Sequence, residues 1–98
     1  MEYVYIVEED WANDSGEKGS NSEVFHCLKD AQVCFDKAVK AAMTDYADYF
    51  DESGSPVEGY VLNQSRGEPP TIASWEFYWY GYYDLTHTSI TITRKEVK

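Results

Sequence analysis

Residues 28–50 read LKDAQVCFDKAVKAAMTDYADYF. Leu28, Ala31, Phe35, Ala38, Val39, Ala42, Met43, Tyr46 and Phe50 recur at the three-four spacing that lays one apolar stripe along a helix. No Pro or Gly interrupts the run before Gly54, and Ser53-Gly54-Ser55-Pro56 supplies a stop. The spacing predicts one helix over about 28–50. Cys27 and Asp30 stand where a capping box would hold Ser or Thr and Glu, although Cys caps poorly.

Such a stripe has to be buried against something, and the flanking sequence offers a sheet. Tyr3–Glu8 (YVYIVE) is a β-branched and aromatic run with bulk on both sides, Val4 and Ile6 on one and Tyr3, Tyr5 and Val7 on the other, which suits a strand with two neighbours. Asn13–Ser22 (NDSGEKGSNS) reads as a loop by composition, and Glu23–His26 as a second strand returning antiparallel to the first. Beyond the helix, Gly59–Gln64 can form a third strand and Gly67-Glu68-Pro69-Pro70 a loop. Trp75–Tyr83 (WEFYWYGYY) forms an aromatic strand, and Ser89–Val97 alternates plainly. Asp84-Leu85-Thr86-His87 reads as the hairpin connection between those two. The order β-β-α-β-β-β predicts an α+β fold, a mostly antiparallel four- to five-stranded sheet with one helix packed on a face. At 98 residues this is one domain, 1–98, and no internal repeat divides it.

Charge narrows the function. Eighteen carboxylates against 8 Lys and Arg give a formal net charge of -10. Nucleic acids and anionic membrane surfaces both demand a positive face, so neither is an expected partner. No apolar run approaches the roughly 18 residues of a membrane span. Met1-Glu2-Tyr3 opens without a basic segment before an apolar stretch, so a secretory signal is not expected and a cytoplasmic location is. The two cysteines fit that compartment. On one helix, Cys27 and Cys34 would lie about 10.5 Å apart along the axis. A disulfide needs Cα atoms within about 7 Å. Two buried or half-buried free thiols are expected instead.

Catalytic patterns are nearly absent. His26, beside Cys27 at the strand-to-helix junction, and His87, in the expected hairpin, are the only histidines. No spacing supports a Cys–His pair, and paired C-x₂-C or H-x₃-H ligand spacing is missing, so no enzyme, metal site or cofactor is expected. Asp45, Asp48, Asp51 and Glu52 do not fit a calcium loop either, because Phe50 and Ser53 fall where an oxygen ligand and Gly belong.

Two features break local rules. Residues 1–17 hold Glu2, Glu8, Glu9, Asp10, Asp14 and Glu17, and residues 41–65 hold Asp45, Asp48, Asp51, Glu52 and Glu58, with no Lys or Arg in either segment. Asp45 and Asp48 fall in the last turns of the expected helix, where the backbone dipole favours cations by about 0.3–1 kcal/mol each. The plainest use of that charge is solubility. The functional use is an acidic surface, Asp45, Asp48, Asp51 and Glu52 joined by Glu8, Glu9 and Asp10, that docks on a basic protein surface. Trp75–Tyr83 is the second anomaly. Trp75, Phe77, Trp79 and Tyr83 point one way, and Tyr78, Tyr80 and Tyr82 the other with Glu76. The helix covers one face only. Tyr78, Tyr80 and Tyr82 are then either covered within the chain or offered for self-association, most simply as a two-fold dimer.

The opening YVYIVEEDW (3–11), the run VFHCLKDAQVCF (24–35) and the closing GYYDLTHTSITITRKEV (81–97) resemble small acidic proteins carried on bacterial prophages and mobile elements. The resemblance implies an inhibitor of host or rival machinery and assigns no site residue. The expected function is therefore an acidic protein-binding module, an inhibitor or decoy that occupies a basic nucleic-acid-binding surface of its partner. The alternatives are a self-associating structural or accessory protein whose charge serves solubility, and a small enzyme or metal protein built on His26, Cys27 and His87.

Overall fold

The computed structural model describes residues 2–12, 17–79 and 87–97. Five strands, β1 (Glu2–Ala12), β2 (Lys18–Phe25), β3 (Tyr60–Arg66), β4 (Thr71–Trp79) and β5 (His87–Val97), form one sheet in the order β2-β1-β5-β4-β3. Every neighbouring pair is antiparallel. A single helix, α1 (Leu28–Asp45), packs on one face, and the chain order is β-β-α-β-β-β. This is the α+β architecture expected from the pattern.

Register explains the core. Tyr5 and Val7 of β1 stand opposite Arg94 and Ile92 of β5, while Trp75 and Phe77 of β4 stand opposite Ile90 and Thr88. Partners directly across a ladder share a face, so these residues all lie under the helix. Trp75, Phe77, Ile90 and Ile92 are fully buried there, with Ala31, Phe35 and Ala42 of α1 above them. Phe77 has no exposed surface, and its ring lies against Tyr46, Tyr49, Phe50, Tyr60 and Trp75. The opposite face is polar at its centre. One row across the strands runs Ser22, Glu8, Thr91, Ser74 and Ser65, and the next runs Ser20, Asp10, Ser89, Glu76 and Asn63.

Several boundaries differ from the sequence reading. The helix ends at Asp45 rather than Phe50, and Ala47–Tyr49 form a 3-10 turn with Tyr49 N–H and Phe50 N–H donating to the carbonyls of Tyr46 and Ala47. Tightening the last turn swings Tyr49 onto Tyr60 and Phe50 onto Phe77, so ring burial outweighs the helical backbone bonds given up. β2 starts at Lys18, not Glu23. Its polar residues tolerate a strand because β1 continues to Ala12 as a backbone partner and β2 is an edge, with most side chains in solvent. β4 starts at Thr71, and Tyr80–Tyr83 of the expected aromatic strand lie outside the described residues. His87 begins β5, paired with Ala12 and Tyr78, rather than belonging to a hairpin loop. Asp84, Leu85 and Thr86 lie outside the described residues. Cys27 and Cys34 are both free thiols, but Cys27 is exposed at the start of α1 rather than buried.

Gly59 has a reason to be glycine. Its φ of 98° is in the left-handed region, and a Cβ there would collide with the Trp79 indole that closes the end of the core. Among the described residues no helix is long and apolar enough to cross a membrane.

Replacing Phe77 by Ala removes the ring on which the core's aromatic contacts converge. The expected loss is about 3–5 kcal/mol of unfolding free energy, read as a lowered urea midpoint. A loss under about 1 kcal/mol would show that these rings repack without it.

Candidate functional site

The helix runs alongside β1 in the same direction. It starts three residues after Phe25, which is paired with Tyr5, and it ends where Tyr46 shares a 2.8 Å hydrogen bond with Thr88, the residue opposite Trp11. Tyr49 then lies on Tyr60, which pairs with Trp79 at the end of β4. The C-terminal end of α1, the 3-10 turn, the last residues of β1 and the first of β3 and β5 therefore share one end of the molecule. The two carboxylate-rich segments, distant in the chain, meet at that end.

They do not merge into one patch. Glu9 faces the helix and lines a cleft of about 350 Å³ together with Asp45. Trp11 forms one wall of that cleft, and Ala38, Ala41 and Ala42 of α1 another. Glu8 and Asp10 point to the helix-free face, beside Thr91 and Ser89. Asp48 is exposed on the 3-10 turn, and Asp51 and Glu52 follow it in the next turn, also exposed.

Asp51 is engaged locally. One of its carboxylate oxygens accepts hydrogen bonds from the Ser53 hydroxyl at 2.6 Å, the Ser53 N–H at 2.9 Å and the Ser55 N–H at 3.0 Å. These bonds, the Ser53 hydroxyl first, hold its carboxyl below the usual carboxylate range. Asp51 therefore shapes the turn that carries Glu52, a role not readable from charge spacing alone.

Of the three tyrosines expected to share the face opposite the helix, Tyr78 does lie there, near the His87 ring. Tyr80 and Tyr82 lie outside the described residues. His87 Nε2 makes a 2.9 Å hydrogen bond with Glu76 across the β4–β5 ladder. His26 and Cys27 follow Phe25 at the Tyr5 end of β1, whereas His87 pairs with Ala12. Seven residues of strand, about 23 Å at 3.3 Å each, separate those positions, so Cys27 and His87 cannot form a pair.

Cys34 is held as a thiol. Its Sγ donates to Glu23 at 3.4 Å, and burial, reinforced by that carboxylate, pushes its pKa up to about 11.

Trp11 and the alanines were not singled out in the sequence as a site. What gives Trp11 its place is Gly19. It stands opposite Trp11, and a Cβ on it would strike the indole. Only the pairing register reveals that relation. No family model, curated protein or solved structure matches the chain.

The cysteines give a direct check on this geometry. At pH 8, a thiol with a pKa near 11 is about 0.1% thiolate, the form that alkylates. Iodoacetamide followed by peptide mapping should label exposed Cys27 well before Cys34. Glu23→Gln should speed labelling of Cys34, since losing the carboxylate lowers its pKa. Equal rates at the two sites in the parent would contradict the Cys34–Glu23 contact.

Proposed function

We propose that this chain is an acidic protein-binding module whose carboxylate-rich end occupies a basic surface of a partner, acting as an inhibitor or decoy at a nucleic-acid-binding surface. The observation that supports it is the meeting of Glu9 with Asp45 in one cleft, although thirty-five residues of chain lie between them, with Asp48, Asp51 and Glu52 exposed just beyond. Solubility needs charge but not charge gathered at a helix C-terminus, where each carboxylate opposes the backbone dipole. The far end carries Arg66, Arg94 and Lys95 among Glu2, Glu68 and Glu96 and is close to balanced, so the negative charge is uneven along the strands. An uneven charge of this kind orients a protein as it approaches an oppositely charged surface and makes association salt-dependent.

Self-association is the second reading, and it too has an observation in its favour. Among the described residues no helix covers the opposite face of the sheet, which carries Tyr78, Val4 and Ile6, and Val24 there is 60% exposed. A two-fold dimer through that face would scatter light as twice 11.3 kDa at micromolar concentration. A mass of 11.3 kDa unchanged on concentration removes this reading.

The acidic-end reading is tested by replacing Asp45, Asp48 and Glu52 with Asn, Asn and Gln. Folding should hold or improve, by about 0.3–1 kcal/mol for Asp45 alone, because the helix terminus loses an unfavourable charge. Binding to a partner captured at low salt should weaken, mainly through slower association, with a flatter dependence on salt. Unchanged binding at every salt concentration leaves the charge with solubility alone.

A further inference from the structure

We propose that the cleft between α1 and the Trp11 end of the sheet seats one lysine or arginine side chain of the partner, as the anchor of that acidic surface. The inference rests on the acidic-end reading and narrows it from a patch to a socket.

The cleft exists because of small residues. Ala38, Ala41 and Ala42, spaced three and four apart, present only methyl groups where larger side chains would close the gap to β1 and β5. Ile90 adds to the apolar lining. On the other side stands Trp11, 41% exposed, one of the few large apolar side chains left that open. Its indole lies over Gly19, in space that any β-carbon would fill. Glycine at that position is thus what allows the ring to form this wall.

Charge decides what the cleft accepts. Glu9 and Asp45 enter it from different elements, and among the described residues no Lys, Arg or His lines it. Among the described residues Arg66 pairs with Asp36, and neither cleft carboxylate is in a salt bridge. A neutral or anionic occupant would strip water from two carboxylates with no compensating charge. A bare divalent ion would meet an apolar lining and too few oxygens. A basic side chain matches each part: its methylene stem lies along the alanine methyls and Ile90, and its cationic head reaches the carboxylates and the indole face. The cleft's lining, apolar within and acidic from two sides, is complementary to that shape.

The test uses the whole protein with ¹⁵N label and two probes, hexalysine and hexalysine acetylated on every Nε. Hexalysine should shift the Trp11 indole N–H resonance, and the acetylated peptide should not. Ala41→Leu fills the cleft from an exposed helix position and leaves the net charge alone. It should weaken hexalysine binding about fivefold, the change that losing a contact of about 1 kcal/mol produces. Glu52→Gln, which removes a charge away from the cleft, should weaken it less than about twofold. Should Ala41→Leu fail to fold, Glu9→Gln with Asp45→Asn takes its place and should abolish the Trp11 shift. If hexalysine binds while the Trp11 resonance stays still, or the cleft variant binds as tightly as the parent, the socket is wrong and the broader acidic surface stands. If hexalysine does not bind even at low salt, both readings fall.

Discussion

Phe77 lies at the point where the helix end, the segment after it and two strands converge. Tyr46 and Phe50 approach its ring at centroid distances of 5.2 and 5.0 Å, and Tyr60 stacks on it at 5.2 Å with planes 3° apart. Each such pair adds about 0.5–1.5 kcal/mol beyond the area it buries. The carboxylates at the end of α1 cost about 0.3–1 kcal/mol each against the helix dipole. The aromatic cluster is therefore the larger effect, and it lets the chain carry Asp45 where helix electrostatics alone would disfavour it. The same rings pin residues 46–60 to the sheet although this stretch holds only one short 3-10 turn.

That pinning connects packing to charge. Because Tyr49 and Phe50 turn inward, the backbone around them turns its carboxylates outward, and Asp51 closes the following turn with three hydrogen bonds. At the other end the cations rest on rings. The Arg94 guanidinium lies 4.0 Å from the centroid of Tyr3, and Arg66 lies 5.9 Å from that of Phe35 while it pairs with Asp36. That end, where Glu2 and Glu96 flank Arg94 and Lys95, is close to balanced in charge, and the excess of carboxylates lies at the other.

The sheet also separates two kinds of surface. Under the helix, alternate residues of β4 and β5 are apolar and buried, whereas their neighbours on the other face are Ser, Thr and carboxylates in continuous rows. Ser65 and Ser74 share a 2.7 Å hydrogen bond across one such row, and Asn63 approaches Glu76 in the next. A face satisfied by its own polar ladder has less need of a covering layer than an apolar one. Beside the helix the fold leaves an apolar recess with carboxylates and no cation among the described residues at the acidic end, and a second at the other end where Lys37 joins Glu23 and Asp30.

Periodicity settled the helix, its buried stripe and the inward set Trp75, Phe77 and Trp79, because side-chain direction along one element is a local property of three-four or alternate spacing. The acidic segments were equally legible, since charge can be read residue by residue. What needed the tertiary structure was everything that depends on which residues lie across from one another. Polar residues 18–22 became a strand because β1 extended to meet them, and the helix stopped at Asp45 because rings further along found a better place on β3 and β4. Glu9 parted from Glu8 and Asp10 by the alternation of β1, and met Asp45 only through the direction in which the helix crosses the sheet. Trp11 gained its place from Gly19, eight residues later in the chain and directly opposite in the ladder. Composition and spacing determine which residues can form an element and carry charge; long-range pairing, which no single segment encodes, decides which of them share a surface.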